Sequence, residues 1–275
     1  MTSIGDWQGR VGRAWADHWR RTDRSFSGLT DVLLGQAIDR PFRRALDIGC
    51  GAGELALALA RRHSGAEVVG LDISEDLIAV ARERSGYLGN VFFQQADAAA
   101  WHLPGYAPDL LVSRHGVMFF DRPVAAFAHL RDIAAPGGRL VFSCFRSLSD
   151  NPWADRILSL LPPAAVVPVD PLQPGPFSLA ERPQVEGILR ESGWRDVHMQ
   201  PVDYAFVLGA GEDPLEDALS YLAEIGPAAR AMRLLSEDER VVFTGRLRRF
   251  LASQADDGLI ALRAGAWIVT ATAPA

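Results

Sequence analysis

A glycine-rich turn constrains the fold of this chain more than any other feature of its sequence. The segment "RALDIGCGAG" (44–53) runs from an apolar strand through an aspartate into glycines at alternate positions, namely Gly49, Gly51 and Gly53. Glycine adopts backbone conformations that other residues avoid, and it lets a ligand approach the main chain closely. The segment therefore predicts a strand, a tight turn and a helix, with a ligand held at the turn.

The chain that follows this turn alternates short apolar strands with helical segments up to residue 146. This alternation is typical of a parallel sheet with helices on both faces. The strands are expected at "ALDIG", "AEVVGLDIS", "VFFQQAD", "PDLLVSR" and "RLVFSCF". Two later extended segments, "RDVHMQPVDYAFVL" and "GAWIVTATA", are expected to complete the sheet.

Helical and proline-rich segments flank this block. Residues 6–38 have apolar side chains at helical spacing, with an interruption expected at "SFSGLT" (25–30). Residues 147–180 are rich in proline and predict irregular structure after a short helix at "NPWADRILSLL". Residues 214–257 read as mostly helical. The flanks therefore predict additional helical structure around the sheet.

Composition excludes several classes of function. The chain has 275 residues, 48% of them hydrophobic, which is enough for a full core in one large domain or one domain with a lid. A formal net charge of −6 disfavours a polynucleotide partner. The sequence contains no lysine, which excludes Schiff-base chemistry and a lysine base.

The two cysteines and the six histidines do not form a metal-binding pattern. Cys50 and Cys144 lie in apolar, strand-like runs without CxxC spacing, so neither a structural metal nor a disulfide framework is expected.

The first residues lack a signal-peptide core, and no apolar run reaches the length of a membrane span. We expect a cytoplasmic protein without a metal, either a monomer or a homodimer.

The position of an acid within the turn indicates the charge of the ligand. A dinucleotide-binding turn has the pattern G-x-G-x-x-G, whereas this chain has Asp47 two residues before Gly49. A carboxylate there would repel a pyrophosphate but accept hydrogen bonds from an ammonium group. A cationic ligand without phosphate fits this turn better than a nicotinamide dinucleotide does.

Two further acids follow the next strands. Asp72 ends the second strand, where a carboxylate can accept hydrogen bonds from both hydroxyls of a ribose, and Asp97 follows the third strand, within reach of an adenine amino group. Ligands of open parallel sheets bind along the carboxyl ends of the strands. A nucleoside that carries a positively charged amino-acid tail satisfies all three acids.

This block resembles the class I S-adenosylmethionine-dependent methyltransferases. The matching segments are "LDIGCGAG" (46–53), "GLDIS" (70–74), "QADA" (95–98) and "APGGRLVF" (135–142), in the family's order. The resemblance implies a Rossmann-like, seven-stranded, mostly parallel α/β sheet with an antiparallel last strand, helices on both faces and a helical lid. The flank "VSRHGVMFFDRP" is similar to a small-molecule branch that includes quinone and sterol methyltransferases.

The resemblance also implies which residues bind S-adenosylmethionine. Residues of the first turn would line the methionine and sulfonium side, those after the second strand would hold the ribose, and those after the third would contact adenine. Ser113, at the end of the fourth strand, would bound the cofactor near the reacting methyl group. In chain order they are Asp47, Gly49, Gly51, Asp72, Ile73, Asp97, Ala98 and Ser113.

Candidate acceptor residues come from the turn after the fourth strand and from the amino-terminal helix. His115 in "SRHG" is the expected general base, because the pKa of histidine suits proton transfer at neutral pH; the alternative is that it packs beneath a lid. His18, Trp19, Met118 and Phe119 are expected substrate contacts. The alternatives are a solvated helix for His18 and core packing for the other three.

These expectations define a function and a domain organisation. We expect methyl transfer to a small, partly apolar molecule, with O-methylation favoured; C- or N-methylation and a non-catalytic cofactor-binding protein are the alternatives. Residues 1–40 would form a helical cap and 41–146 the cofactor-binding core. Residues 147–275 would contain the proline-rich segment, the last helix and two closing strands of the core, with a helical insertion at about 210–257.

Overall fold

One mixed sheet organises the molecule. The computed structural model describes residues 4–165 and 173–275; residues 166–172 of the proline-rich segment therefore lie outside the described residues. The strands are β1 (Arg44–Ile48), β2 (Glu67–Asp72), β3 (Val91–Gln95), β4 (Leu110–Arg114), β5 (Arg139–Phe145), β6 (Arg195–Ala210), β7 (Ala255–Asp256) and β8 (Leu259–Thr272).

The strand order of the sheet is β3-β2-β1-β4-β5-β8-β6. Strands β1 to β5 pair in parallel, whereas β8 lies antiparallel between β5 and β6. This order confirms the expected Rossmann-like α/β sheet with an antiparallel last strand. The two-residue β7 pairs with β8 and adds a short eighth strand to the seven expected ones.

Helices surround the sheet within the described residues. They are α1 (Ile4–Trp7), α2 (Arg10–Asp17), α3 (Trp19–Ala37), α4 (Glu54–Arg62), α5 (Glu75–Ser85), α6 (Pro123–Ile133), α7 (Pro152–Leu158), α8 (Arg182–Glu191), α9 (Pro214–Glu224), α10 (Gly226–Met232) and α11 (Glu237–Ala252). Helix α9 packs on the long β6 strand, and α10 packs on α7 and α9.

The central strands are buried because helices cover both of their faces. Every residue of β1 except the first is buried, and β4 and β5 show nearly the same pattern. Continuous apolar runs of this kind are typical of parallel strands, whereas alternating patterns are typical of sheets with one solvated face. The β1–α4 turn, the ends of β2 to β5 and the loops that follow them lie at the carboxyl edge of the sheet.

Two local expectations are wrong. Helix α3 continues through "SFSGLT" instead of breaking there. The hydroxyl of Ser25 donates to the Arg21 carbonyl at 2.9 Å and lies 2.7 Å from the Val207 carbonyl of β6, so the serine ties the helix to the sheet. Strand β8 begins at Leu259, six residues earlier than expected, because it pairs along almost the whole of β6.

The described residues contain no helix with the length and hydropathy needed to cross a membrane. In the same part of the chain, no group of three or more histidine, cysteine, aspartate or glutamate side chains could hold a metal ion. Cys50 and Cys144 are both free and buried.

Candidate active site

A cavity of about 820 Å³ lies at the carboxyl edge of the sheet. The ends of strands β1 to β5 form its floor, and residues from α2, α3, α7 and α10 form its walls. Cavities of a few hundred to a thousand Å³ at this edge of a parallel sheet hold small molecules and cofactors. The floor contains the sequence motifs that suggested a ligand.

Direct contact between two glycines brings the β1 turn against the loop after β4. A Cβ atom at Gly49 would lie 2.9 Å from the Cα of Gly116, and one at Gly116 would lie 2.6 Å from the Ile48 carbonyl oxygen. Side chains at these positions would force the two loops apart. Gly49 also has a φ of +64°, a conformation that favours glycine.

Asp47 is a buried carboxylate on the cavity floor. It accepts a hydrogen bond of 3.0 Å from the backbone N–H of Ala56 in the first turns of α4. Burial raises the pKa of Asp47 to about 7, although the nearby positive charge of Arg114 lowers it. A cation bound beside Asp47 would favour its ionised form.

Asp72 holds the shape of the glycine turn. One of its carboxylate oxygens accepts from the N–H of Gly51 at 2.9 Å, and the other accepts from the N–H of Ser74 at 2.9 Å. Burial raises its pKa above the ordinary value. Each oxygen retains a second acceptor position for a ligand.

The remaining expected cofactor residues lie along the same edge. Ile73, Asp97 and Ala98 all line the cavity. Asp97 is exposed, and its side chain accepts a hydrogen bond of 2.9 Å from the N–H of Ala99. Ser113 differs: its buried hydroxyl donates to the Ile48 carbonyl at 2.7 Å, and its side chain is not on the cavity wall. In this structure the hydroxyl joins β4 to β1, and the expected cofactor contact of Ser113 stays a prediction.

These residues fit a nucleoside with an amino-acid tail. A Cβ atom at Gly51 would have no other atom within 4 Å, so the turn opens directly onto the cavity. Two buried carboxylates, Asp47 and Asp72, lie beside it. Trp15 and Trp19 also line the cavity and pack on the small cluster that contains Ala52 of the turn. This combination suits a flat ring system at one end of the ligand and a positive charge at the other.

His115 has the most unusual geometry in the site. Its φ of +65° places it in the left-handed region, which costs a residue with a side chain about 1–2 kcal/mol. Its imidazole is buried, lines the cavity and stacks on Phe145. Neither ring nitrogen has a hydrogen-bond partner among the described residues. Burial, together with the charge of Arg114, lowers its pKa to about 3, so the ring is neutral at physiological pH.

Three of the four residues expected to contact the acceptor line the cavity. Trp19, Met118 and Phe119 line the cavity. The His18 side chain does not; it lies at the junction of α2 and α3, 3.5 Å from a guanidinium nitrogen of Arg21, with its ring edge-on to Tyr221. The expected substrate contact of His18 therefore has no counterpart in the cavity lining and stays a prediction.

A partly buried ionic network beside the cavity was not foreseen from the sequence. Arg114, at the end of β4, forms an ion pair with Glu54 of α4 and donates to the hydroxyl of Thr30 at 2.8 Å. Asp23 of α3 lies 3.7 Å from Arg114 and 2.7 Å from Arg84 of α5. The network joins the amino-terminal helices to the cofactor side of the sheet.

Six rings form what we call the aromatic cluster. They come from α3, the loop after β4, the end of β5, α7, the loop before α8 and β6, and all of them line the cavity: Phe26, His115, Phe145, Trp153, Phe177 and Phe206. His115 and Phe145 could be inferred from their positions at strand ends. The others come from segments whose sequence gives no sign of which strand end they approach.

The "NPW" segment has a structural role. Both side-chain groups of Asn151 are bonded: its oxygen accepts from Trp153 Nε1 and Gly265 N–H at 3.0 Å each, and its amide donates to the Gly265 carbonyl at 3.1 Å. Asn151 thereby fixes the start of α7 and the position of the Trp153 ring.

Sequence comparisons identify relatives of the chain. A family model described as a methyltransferase domain matches residues 45–138. A trans-aconitate 2-methyltransferase from Variovorax paradoxus is 30% identical over 248 residues, which cover 80% of this chain and 87% of that protein. A demethylmenaquinone methyltransferase from Thermus thermophilus is 40% identical over 106 residues, 38% of this chain and 48% of the relative's length.

Solved structures share the fold at low sequence identity. Phosphoethanolamine N-methyltransferase 2 from Haemonchus contortus, solved with S-adenosyl-L-methionine, has a TM-score of 0.59 at 18% identity and covers all of this chain and 61% of its own. The N-methyltransferase NodS from Bradyrhizobium japonicum has a TM-score of 0.51 at 16% identity and covers 92% of this chain and 98% of its own.

The fold and the carboxylate-lined glycine turn define a nucleoside-binding α/β enzyme. The chain belongs to the S-adenosylmethionine-dependent methyltransferases that act on small molecules, and S-adenosylmethionine is its cofactor.

Proposed function

We propose that this enzyme transfers the methyl group to an oxygen atom of a small molecule whose reacting part is planar and largely apolar. The aromatic cluster is the observation that carries the proposal. Planar rings pack against aromatic side chains with a gain of about 0.5–1.5 kcal/mol per pair beyond the area they bury. A cavity wall of six rings therefore favours a planar acceptor.

The rings of the cluster contact one another in a continuous series. Phe145 lies 5.1 Å from Trp153, which stacks on Phe206 at 4.6 Å, and Phe206 lies 5.2 Å from Phe26. Phe26 in turn lies 5.2 Å from His115. The series is closed because His115 stacks on Phe145. Such a wall excludes water from the acceptor and orients its plane.

Within this wall, His115 is proposed to orient and deprotonate the acceptor hydroxyl. A neutral imidazole with free ring nitrogens can accept the hydroxyl proton in a hydrogen bond. A pKa of about 3 makes it a weak base toward a free hydroxyl. The oxygen becomes far more acidic as its bond to the methyl carbon forms, so a weak base suffices to take the proton late in the reaction.

The cofactor supplies a methyl group that its sulfonium already activates, so the protein contributes mainly alignment.

The proposed cofactor contacts are the first glycine turn with Asp47, then Asp72 and Ile73 for the ribose, and Asp97 and Ala98 for adenine. We propose the same division as the sequence suggests: a cap at 1–40, a cofactor-binding core at 41–146 and a remainder at 147–275 that adds the second half of the cavity.

A second candidate acceptor is a polycarboxylate such as trans-aconitate. The relative from Variovorax paradoxus, whose match covers 80% of this chain, is named for that compound. Four exposed arginines line the cavity and would suit such an acceptor: Arg10, Arg122, Arg230 and Arg233. The aromatic cluster, which lines the same cavity, favours the planar acceptor.

A direct comparison of acceptors tests the proposal. The purified enzyme is supplied with S-adenosylmethionine carrying a labelled methyl group, together with phenols, hydroxyquinones, aromatic amines or trans-aconitate. Mass spectrometry with fragmentation identifies the methylated atom. Transfer to a phenolic oxygen supports the proposal. Transfer to nitrogen or carbon alone, or to trans-aconitate alone, contradicts it.

A further inference from the structure

We propose that the acceptor also carries a carboxylate, and that Arg230 and Arg233 bind it at the mouth of the cavity while the planar part lies in the aromatic cluster. The inference rests on the proposed function and adds a specificity determinant to it. The acceptor would then be an amphipathic aromatic acid, with its hydroxyl directed inward and its charge directed outward.

The position of α10 relates the two arginines to the aromatic cluster. A Cβ atom at Gly226, the first residue of α10, would lie 3.8 Å from the indole ring of Trp153. With a rise of 1.5 Å per residue, Arg230 lies about 6 Å and Arg233 about 10 Å further along the helix axis. Both arginines line the same cavity as the cluster. A ligand that packs on Trp153 and extends along α10 would therefore approach both arginines.

The two arginines also have no carboxylate partner at ion-pair distance in the described part of the chain. Neither forms an ion pair within residues 4–165 and 173–275, whereas the deeper Arg114 is paired with Glu54 and Asp23. Two cavity-lining acids, Asp121 and Glu224, likewise form no ion pair with these arginines there. The mouth thus presents exposed guanidinium groups that are not neutralised by those acids.

The spacing of the pair strengthens the argument. Side chains three residues apart on a helix lie on the same face, and like charges at this spacing repel each other. A carboxylate between two guanidinium groups replaces that repulsion with charge-assisted hydrogen bonds, which arginine forms in a planar, two-pronged geometry. The cavity mouth is therefore built to favour an acidic acceptor over its neutral analogue.

A pair of isosteric probes tests this inference. The full chain, saturated with S-adenosylhomocysteine, is titrated calorimetrically with 6-hydroxy-2-naphthoate and with 6-hydroxy-2-naphthamide. The two probes share the ring and the hydroxyl and differ in charge. The double variant Arg230→Gln/Arg233→Gln is compared with Arg249→Gln, which removes an exposed arginine of α11 that does not line the cavity.

We expect the wild-type chain and Arg249→Gln to bind the naphthoate about tenfold or more tightly than the naphthamide. The double variant should bind both probes equally, with unchanged affinity for the naphthamide and for S-adenosylhomocysteine. Equal binding of the two probes by the wild-type chain, or a preference that survives in the double variant, overturns the inference and leaves the proposed function standing. If neither probe binds while S-adenosylhomocysteine does, the planar acceptor of the proposed function fails, and the inference fails with it.

Discussion

The imidazole of His115 stacks on the ring of Phe145, with ring centroids 4.1 Å apart and planes 16° apart. The two residues follow or end neighbouring parallel strands, so the stack spans the join between β4 and β5. The stack holds the uncharged imidazole of His115 where the aromatic cluster meets the glycine turn. The proposed role of His115 in proton transfer depends on this arrangement.

Replacing His115 with Asn should slow methyl transfer about tenfold to a hundredfold, near the lower end of the range for general acid–base catalysis, without changing S-adenosylhomocysteine affinity. Asn tolerates a positive φ better than most residues, so the backbone is retained. His63→Asn is the matched control, because His63 is a histidine with an unpartnered nitrogen outside the cavity. Full activity in His115→Asn contradicts the proton-transfer role.

The pH dependence of the same variant distinguishes a neutral histidine from a titrating one. Because the pKa of His115 lies at about 3, its ring stays neutral from pH 5 to pH 8. We therefore expect the pH profiles of kcat for the wild-type enzyme and His115→Asn to have the same shape near pH 6.5. An inflection there in the wild-type profile alone is not expected. Such an inflection would show that His115 titrates in the working range.

Replacing Phe177 with Leu should raise the KM of a planar acceptor about threefold to tenfold, because an aromatic contact worth roughly 0.5–1.5 kcal/mol is lost. The dissociation constant of S-adenosylhomocysteine should not change. Phe92→Leu provides the control, since Phe92 lies on the edge strand β3 with 55% of its surface exposed. An unchanged KM in Phe177→Leu would show that this ring does not contact the acceptor.

The affinity for S-adenosylhomocysteine should rise as the pH increases from 6 to 8. Asp47 has a pKa of about 7 in the free protein. Its ionised form is the one proposed to bind the ligand's ammonium group. Binding should release a proton in this range. Asp47→Asn should bind more weakly and without this pH dependence. Calorimetry in buffers of different ionisation enthalpy measures both effects, and a wild-type affinity that is flat across this range would contradict the role of Asp47.

The same shift predicts how Asp47 affects stability. Its folded pKa exceeds the unfolded value of about 4, so the ligand-free fold is favoured by the protonated form. That contribution is complete below about pH 4 and is lost as the pH rises through 7. At pH 8 we expect ligand-free Asp47→Asn to be more stable than the wild-type chain, by on the order of 1–3 kcal/mol. A lower unfolding midpoint for the variant in urea would contradict this.

Replacing Glu54 with Gln should destabilise the protein by about 1–3 kcal/mol, because it leaves the partly buried Arg114 without one of its two carboxylate partners. The remaining carboxylate of Asp23 lies 3.7 Å from Arg114 and also serves Arg84. Glu75→Gln, an exposed position in the first turn of α5, should change stability by less than about 0.5 kcal/mol. Equal urea midpoints for the two variants would show that the network does not stabilise the fold.

The sequence predicted the sheet and its ligand edge because both depend on local patterns. Apolar runs that end in Asp47 and Asp72, separated by helical segments, specify parallel strands whose carboxyl ends meet. The Rossmann-like fold, the methyltransferase family and the cofactor are confirmed. The roles of individual site residues remain predictions.

Tertiary contacts account for what the sequence did not predict. Helix α3 crosses the helix-unfavourable "SFSGLT" because Ser25 bonds to its own helix and approaches β6, more than 180 residues away. The position of Phe177 in the cavity wall is likewise decided by its packing on Phe145 and Trp153, which come from other segments. No spacing within one segment encodes such contacts.

The most direct test of the account is a calorimetric titration with S-adenosylhomocysteine of the wild-type chain, Asp72→Asn and Glu75→Gln. Asp72→Asn keeps the size of the side chain and one acceptor oxygen but removes the charge, whereas Glu75→Gln removes a charge three residues away that faces solvent. We predict one-to-one binding by the wild-type chain and Glu75→Gln, and binding at least about tenfold weaker by Asp72→Asn. Equal binding by all three proteins, or no binding by the wild-type chain, would contradict the assignment of the glycine turn as the cofactor site.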